Sequence, residues 1–451
     1  LTIANRPTRG SQTLFHENLF QSAPECSRGY QEAVRITRVL ADAGFVAYFA
    51  GGCVRDALLG RAPKDFDVAT NATPETIREV FGHRHTLAFG ASFGVIGVLP
   101  PRHSYAGDSH SDAPSSVVPP VVMPTEVATF RSDGEYSDGR RPDSVHFGSA
   151  EQDALRRDFT INGLFYDPQA DEVIDFVGGQ VDLEQGLLRT IGQPDQRIDE
   201  DKLRMLRAVR FATVLGFEME ESTARSIRDH AHEITVVSGE RIGAEMRKII
   251  SAPAAAVGLR LMQQLDLMRR VFPAAADHDL SELDPYLDAL IDRPFADCLA
   301  CVQVALGLES DERVRRDLVQ RWKLTNEELR VLSAVGRNWR RVVQLDELPW
   351  SQAQPILLDR DIRSTVNVAR AVASATDLKW AGVQRAAQVL QWPEERLNPA
   401  MLLTGDDLVD LGFRPGKQFA LILSSVRAAQ LDEQITSRQE AIEMAQQIAS
   451  Q

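Results

Sequence analysis

The chain has 451 residues, a net charge of −14 and 43% hydrophobic residues, enough for about three domains with cores of their own. Its four cysteines (Cys26, Cys53, Cys298, Cys301) are too few and scattered for a disulfide framework. No apolar run approaches the roughly 18 residues of a membrane span, so a soluble, cytoplasmic protein is expected. The acidic balance does not advertise nucleic-acid binding and does not exclude it, because the local patch decides, and arginines concentrate between Arg131 and Arg210.

Residues 1–28 are polar with little apolar periodicity and read as a loosely ordered segment. Ala33, Ile36, Val39, Leu40 and Ala43 then recur at helical spacing. Phe45 to Phe49 reads as a buried strand, Gly51-Gly52 as a tight turn and Val54 to Leu59 as the opening of a helix. A strand, a glycine turn and a helix start in that order make a phosphate seat. Glycine admits a phosphate close to the backbone, the helix start offers unpaired N–H groups, and Arg55 adds a fixed positive charge beside Gly52.

Lys64-Asp-Phe-Asp-Val-Ala-Thr70 follows and reads as a second strand, where residues two apart share a face. Asp65 and Asp67 on one face suit a pair of Mg²⁺ ions about 3.5 to 4 Å apart, the arrangement used in phosphoryl and nucleotidyl displacement. Thr73-Pro-Glu-Thr76 is a helix start, with Thr73 as cap and Pro near the first position of a helix running to Phe81.

Gly94 to Leu99 and Glu126 to Arg131 read as strands. Pro100 to Met123 between them is rich in Pro, Ser, Asp and His, and is expected to be a disordered insertion with His103 and His110 solvated. Ser132 to Pro142 reads as a mobile loop, and Glu172 to Phe176 as a last strand. From about Leu187 helical periodicity dominates, which predicts an α+β chain: a mixed-sheet head followed by an all-helical remainder. Cys298 and Cys301 lie in the apolar run Phe295 to Leu306 without a second Cys or His pair for zinc, and are expected in helix core.

Asp199 to Ala212 reads as one helix on which Asp201, Arg204, Arg207 and Arg210 recur every third residue. Taken alone, such a row reads best as surface ion pairs. Cytosine and adenine, however, both present an exocyclic amine beside an unprotonated ring nitrogen, which a carboxylate and a guanidinium together match. Uracil and guanine invert the pattern and would leave charges unpaired, so Asp201 with Arg204 would select CTP and ATP without a nucleic-acid template.

These residues carry a close resemblance to the class II tRNA nucleotidyltransferase and bacterial poly(A) polymerase family, over roughly Phe45 to Ile250. Gly-Gly-Cys-Val-Arg-Asp with Asp-Phe-Asp is similar to its metal and triphosphate motif, and Arg156-Arg-Asp-Phe-Thr-Ile-Asn-Gly163 to its ribose motif. Asp175 to Asp182 resembles its head-to-neck hinge, Glu200-Asp-Lys-Leu-Arg204 its base-reading motif, and Glu240 to Glu245 the motif that steadies the neck.

The resemblance implies metal binding and catalysis by Asp65 and Asp67, with Glu126 as a third acidic neighbour. It implies nucleotide contacts from Gly52, Arg55, Arg157, Asp201, Arg204, Arg207 and Arg210, with Mg²⁺ as cofactor and CTP, ATP and the tRNA acceptor arm as partners. It further implies a head at 29–180 carrying the insertion 100–123, a helical neck at 181–252, and a helical body and tail at 253–451. Gly405 to Lys417 resembles the RNA-contacting turn of the tail, with Arg414, Gly416 and Lys417 set to hold a phosphate, and Arg337 to Arg341 is a second basic candidate. No histidine follows His278, which argues against the metal phosphohydrolase module of some relatives.

The leading expectation is addition of C, C and A to tRNA. The alternatives are poly(A) polymerase, a relative that adds only CC or only A, and a non-catalytic RNA-binding descendant. Ala88 to Val95 lacks the Arg-Arg-Phe signature expected of a poly(A) polymerase. The loop Tyr136 to Pro142 is intact, which argues against CC-only addition, and Asp138, Arg140 and Arg141 in it are candidate levers for the switch from C to A.

Overall fold

The computed structural model describes residues 28–90, 94–101, 123–134, 144–414 and 416–450, and at Lys417 the backbone alone. The bulk of the insertion and the levers Asp138, Arg140 and Arg141 lie outside those residues, as does the segment before Arg28. The chain divides into two compact units, one of residues up to Ala208 with Leu215–His230, the other of Val209–Val214 with Ala231 onward.

The first unit opens with α1 (Arg28–Asp42), whose Ala33, Ile36, Thr37 and Leu40 are buried at the predicted spacing. Next come β1 (Ala47–Ala50), α2 (Gly52–Leu58), β2 (Val68–Thr70) and α3 (Pro74–Phe81). Thr73 caps α3 as expected, its side chain accepting from the Thr76 amide at 3.3 Å. Strands β3 (Thr86–Gly90), β4 (Val95–Val98), β5 (Thr125–Thr129), β6 (Arg131–Asp133) and β7 (Val145–Phe147) follow, then α4 (Ala150–Leu155), β8 (Leu164–Asp167) and β9 (Glu172–Asp175).

Seven of these strands form a mixed sheet in the order β3-β4-β5-β2-β1-β8-β9, while β6 and β7 pair separately. Within the large sheet only β2 and β5 run parallel, with Val68 opposite Val127. Central β1 alternates between two aromatic clusters. Phe49 meets Tyr30, Phe66 and Tyr166 with ring centroids within 6 Å on one face, and Tyr48 meets Phe130 and Phe165 on the other. That packing fixes the end of β1, where the chain turns into α2.

The chain continues with α5 (Gly179–Gln185), β10 (Leu187–Leu188), α6 (Pro194–Glu200), α7 (Arg204–Leu215), whose Val209–Val214 belongs to the second unit, β11 (Glu218–Met219) and α8 (Glu221–His230). Two expectations are corrected here. The region after Leu187 is mostly rather than wholly helical, because β10 and β11 pair in parallel, and strands of two residues leave no alternation to read. The helix expected from Asp199 to Ala212 is two helices, broken at Asp201, which lies extended at φ −153° and ψ 104°. Aspartate is a weak helix former whose carboxylate competes for local amides, and the Leu203 N–H donates to Asp201 Oδ1 at 3.0 Å.

The second unit is helical, from α9 (Gly239–Ile250) to the C-terminal Arg438–Ala449 helix. At its centre the Phe295–Ala305 helix is buried on nearly every side, including Cys298 and Cys301 as expected. Trp322, fully buried, donates its indole N–H to the Val271 carbonyl at 2.9 Å. Arg247 of α9 forks onto Glu328 at 2.7 Å from both Nε and Nη2. Glu328 also accepts from the Thr325 amide at 2.7 Å while its own amide donates to Thr325 Oγ1 at 3.2 Å, a capping box for the Asn326–Val343 helix. Thr325→Ala is expected to lower unfolding stability by about 1 kcal/mol, read by urea denaturation.

Candidate functional site

Gly51 sits at φ +70°, a conformation that glycine adopts at no steric cost, and its N–H donates to the Leu164 carbonyl at 3.0 Å. A Cβ built on Gly51 would lie 2.8 Å from Arg157 Nη1, so this guanidinium rests directly on the turn. Arg157 is held there from three sides. Nη2 donates to Asp153 Oδ2 at 2.9 Å and Nη1 to the Asn162 carbonyl at 3.0 Å, and Cζ lies 4.8 Å from the centroid of the Phe165 ring.

Arg55, one turn into α2, comes in beside it. Its Nε and Nη2 donate to Asp56 Oδ1 at 2.9 and 2.7 Å, and its Nη1 donates to Asn162 Oδ1 at 2.6 Å. Asp153 is 1% exposed and binds Arg156 through its other oxygen at 2.6 Å. Burial would raise its pKa, but Arg157 and then Arg156 outweigh that and hold it below the ordinary value. Two guanidinium groups thus converge on the Gly51-Gly52 turn, each anchored by a carboxylate. Cys53 beside them is structural: burial, with Asp67 adding, pushes its thiol up to about 12.

Asp65 and Asp67 precede β2 rather than lying on it, a correction to the expected strand. The alternation is present nonetheless, since Phe66 is buried while both carboxylates are exposed. The Ala50 N–H donates to the Asp67 carbonyl at 3.0 Å as the last rung with β1, and beyond it β1 has turned into α2, so Asp65 has no strand to pair with. The parallel register of β2 with β5 brings Glu126 level with Asp67. Asp67 keeps an accessible edge, yet the protein crowding its other sides raises its pKa to about 6, with Glu126 and Asp65 adding and Arg157 opposing. Among the described residues no ready-made cage of three or more His, Cys, Asp or Glu groups occurs. Mg²⁺ is commonly held by one or two carboxylates, the rest of its shell being water and phosphate, so this all-oxygen, under-neutralised set fits such an ion.

The row Asp201, Arg204, Arg207 and Arg210 divides at the helix break. Arg204 is 8% exposed; its Nη1 donates to the Arg197 carbonyl at 2.7 Å and also meets Glu200. Arg207 donates through Nη2 and Nε to Asp158 Oδ2 at 2.6 and 2.8 Å, and Arg210 donates to Glu245 Oε2 at 2.6 Å. Burial pushes the Asp158 carboxyl up, but Arg207, hydrogen bonds from Asn162 and Arg207, and finally Arg204 hold it down at about 2.

A carboxyl depressed in the folded state contributes stability above its unfolded pKa of about 4, and that stability disappears as pH falls through about 2. Asp158→Asn is therefore expected to be about 2 kcal/mol less stable than the parent at pH 7, with the gap closing between pH about 4 and about 2. Paired urea melts across that range check it.

A family model described as "Poly A polymerase head domain" matches residues 47–189, and one described as "Probable RNA and SrmB- binding site of polymerase A" matches residues 216–278. A CCA-adding enzyme of Lactiplantibacillus plantarum is 36% identical over 305 residues, 66% of this chain and 68% of that one. The CCA-adding enzyme of Lactobacillus helveticus is 29% identical over 91% of this chain and 95% of its own. Among solved structures, the Bacillus stearothermophilus CCA-adding enzyme in complex with CTP superposes with a TM-score of 0.70 at 26% identity, covering 94% of this chain and 98% of that one. The chain belongs to the CCA-adding enzyme and poly(A) polymerase family.

As a member of that family it is a nucleotidyltransferase with an α+β head and a mostly helical remainder. Asp153, Asp158, Asn162 and Glu200 hold the guanidinium groups of Arg157, Arg207, Arg55 and Arg204, and although the last three of these holders stand inside motifs that carry the resemblance, none was singled out as an arginine partner in sequence. The Asp153-to-Arg157 spacing of four, with Arg157 just past the end of α4, was the hint for that pair. In the second unit Arg337, Arg340 and Arg341 are exposed on the Asn326–Val343 helix, and Arg340 meets Glu309 at 2.6 Å. Arg414 is exposed just before Gly416. No described helix is long and apolar enough to cross a membrane.

Proposed function

We propose that the chain is a cytoplasmic, template-independent enzyme that adds C, C and A to the 3′ end of tRNA from CTP and ATP. The observation that carries this reading is the meeting, around one glycine turn, of the Arg55 and Arg157 guanidinium groups with the Asp67 carboxylate and its neighbours. An in-line displacement at a triphosphate needs both signs of charge at that place.

The RNA 3′-hydroxyl attacks the α-phosphate, the new phosphodiester forms as the α–β bond breaks, and pyrophosphate leaves. Arg55 and Arg157 bind the triphosphate against Gly52 and neutralise the charge of the departing pyrophosphate. Asp65 and Asp67 would hold Mg²⁺, with Glu126 alongside, and the ions would stabilise the attacking and leaving oxygens. Asp201 accepts from the exocyclic amine of cytosine or adenine while Arg204 donates to the adjacent ring nitrogen, and Arg207 and Arg210 extend the nucleotide contacts. Arg204 must exchange its present hold on Glu200 for the base to do so.

The head at 29–180, neck at 181–252 and body and tail at 253–451 then divide the labour, the last gripping the tRNA acceptor arm with Arg414 in its C-terminal turn. Purified protein incubated with tRNA transcripts ending before CCA, and with CTP, ATP or both, tests this. Addition of two residues with CTP alone and a third when ATP is present is expected. Long A tails with ATP alone would assign the chain to the poly(A) branch.

A further inference from the structure

Between the two arginine systems lies Asn162, 8% exposed, at the end of the Arg156-to-Asn162 stretch. Its Oδ1 accepts from Arg55 Nη1 at 2.6 Å, and its Nδ2 donates to Asp158 Oδ1 at 3.0 Å. The other oxygen of Asp158 accepts both donors of Arg207, at 2.6 and 2.8 Å. The amide orientation is dictated by its partners, because a guanidinium can only donate and an ionised carboxylate can only accept. A continuous chain of hydrogen bonds therefore runs Asp56, Arg55, Asn162, Asp158, Arg207. It joins residues 107 positions apart at one link and 49 at another. The Asn162 carbonyl holds Arg157 as well, at 3.0 Å, so one residue touches both guanidinium groups at the glycine turn.

We propose that Asn162 is a positioning residue that couples the triphosphate seat to the base-reading helix. The inference rests on the reading of Gly52, Arg55 and Arg157 as that seat and of α7 as the helix that meets the base. A primary amide offers an acceptor to Arg55 and a donor to Asp158 in one small, rigid, uncharged plane, and glutamine is longer than asparagine by a methylene. Aspartate would confront Asp158 with a second carboxylate, and leucine would leave Arg55 Nη1 and Asp158 Oδ1 without this partner. Through the chain, a displacement of Arg207 when a base is engaged changes the hold on Arg55, and the reverse. A nucleotide seated at one end prepares the other end to receive it. Side-chain hydrogen-bond networks of this kind, here partly buried, behave as units rather than as sums of pairs.

The test uses inorganic triphosphate, which has no base or ribose and so reports on the seat alone. The full-length protein is titrated calorimetrically with it as parent, Asn162→Ala, Arg207→Gln and the double variant. The parent is expected to bind, and Arg55→Gln to bind far more weakly. Arg207→Gln, although altered at the far end of the chain, is expected to weaken triphosphate binding by about threefold to tenfold, and Asn162→Ala by a similar factor. The double variant is expected to lose no more than the worse single variant. Triphosphate affinity of Arg207→Gln within about twofold of the parent would overturn the coupling, as would losses that multiply in the double variant, the result expected if Arg207 touched the phosphates directly. If Asn162→Ala melts below the assay temperature, Asn162→Ser takes its place in the same cycle. A parent that binds no triphosphate sinks the seat itself and the coupling with it. That result is distinct from a parent that binds while Arg207→Gln binds equally well.

Discussion

Asp67→Ala is expected to abolish nucleotide transfer, by at least about 10³-fold, while leaving the melting temperature of the protein within a few degrees of the parent. Asp67 contributes its backbone carbonyl to the last rung with β1, and alanine keeps that rung. Its carboxylate is set against Glu126 and Asp65 in a crowded place that raises its pKa to about 6, so removing it relieves repulsion in the metal-free fold. Loss of activity with fold retained is therefore the signature of a carboxylate kept for a cation. Asp65→Ala is expected to behave alike. Substantial Mg²⁺-dependent transfer by either variant, in single-turnover assays with CTP and a tRNA lacking CCA, would overturn their assignment as metal ligands.

The second large effect is on choice rather than rate. Asp201→Ala is expected to admit UTP and GTP, eroding much of a discrimination that mismatched buried hydrogen bonds set at about 10⁴. The structure adds a condition to this experiment. Because Asp201 Oδ1 accepts from the Leu203 N–H, alanine also removes a local cap at the start of α7. Asp201→Ser retains an acceptor for that amide and separates the two roles: misincorporation by both variants assigns base reading to the carboxylate. Parent-level fidelity in both, with CTP and ATP transfer intact, would leave Asp201 as a capping residue only.

How much could be read beforehand depended on how local the physics was. The strand, glycine turn and helix around Gly51 were legible because each is written within a few residues, and so was the Thr73 cap of α3. The strand expected at Asp65 and Asp67 had the right alternation but only Asp67 reaches a rung with β1, since where β1 ends is decided by aromatic packing on both its faces. Strand β8 was passed over because Leu164-Phe-Tyr, buried throughout, offers no alternation to recognise. The break at Asp201 was hidden because Leu203, Leu206 and Val209 keep a helical spacing that begins before α7 itself does. Asn162 and Asp158 were invisible as connectors, because their partners are Arg55 and Arg207, brought to them only by the sheet and by the approach of α7.

That break also bears on redesign. Arg204 opens a regular helix, so its direction is tied to every residue of α7, whereas Asp201 projects from a single extended residue between two helices. Under the proposed assignment, the two halves of the base-reading pattern are thus mounted on different segments. A reader built on one continuous helix would shift both groups with any change in its pitch. Under that assignment the acceptor is re-aimed through residues 201–203, within the limit set by the Arg204 N–H, which donates to the Asp201 carbonyl at 2.9 Å. On the proposed reading, an engineer seeking a nucleotide other than C or A has a three-residue segment to vary, and a helix to leave alone.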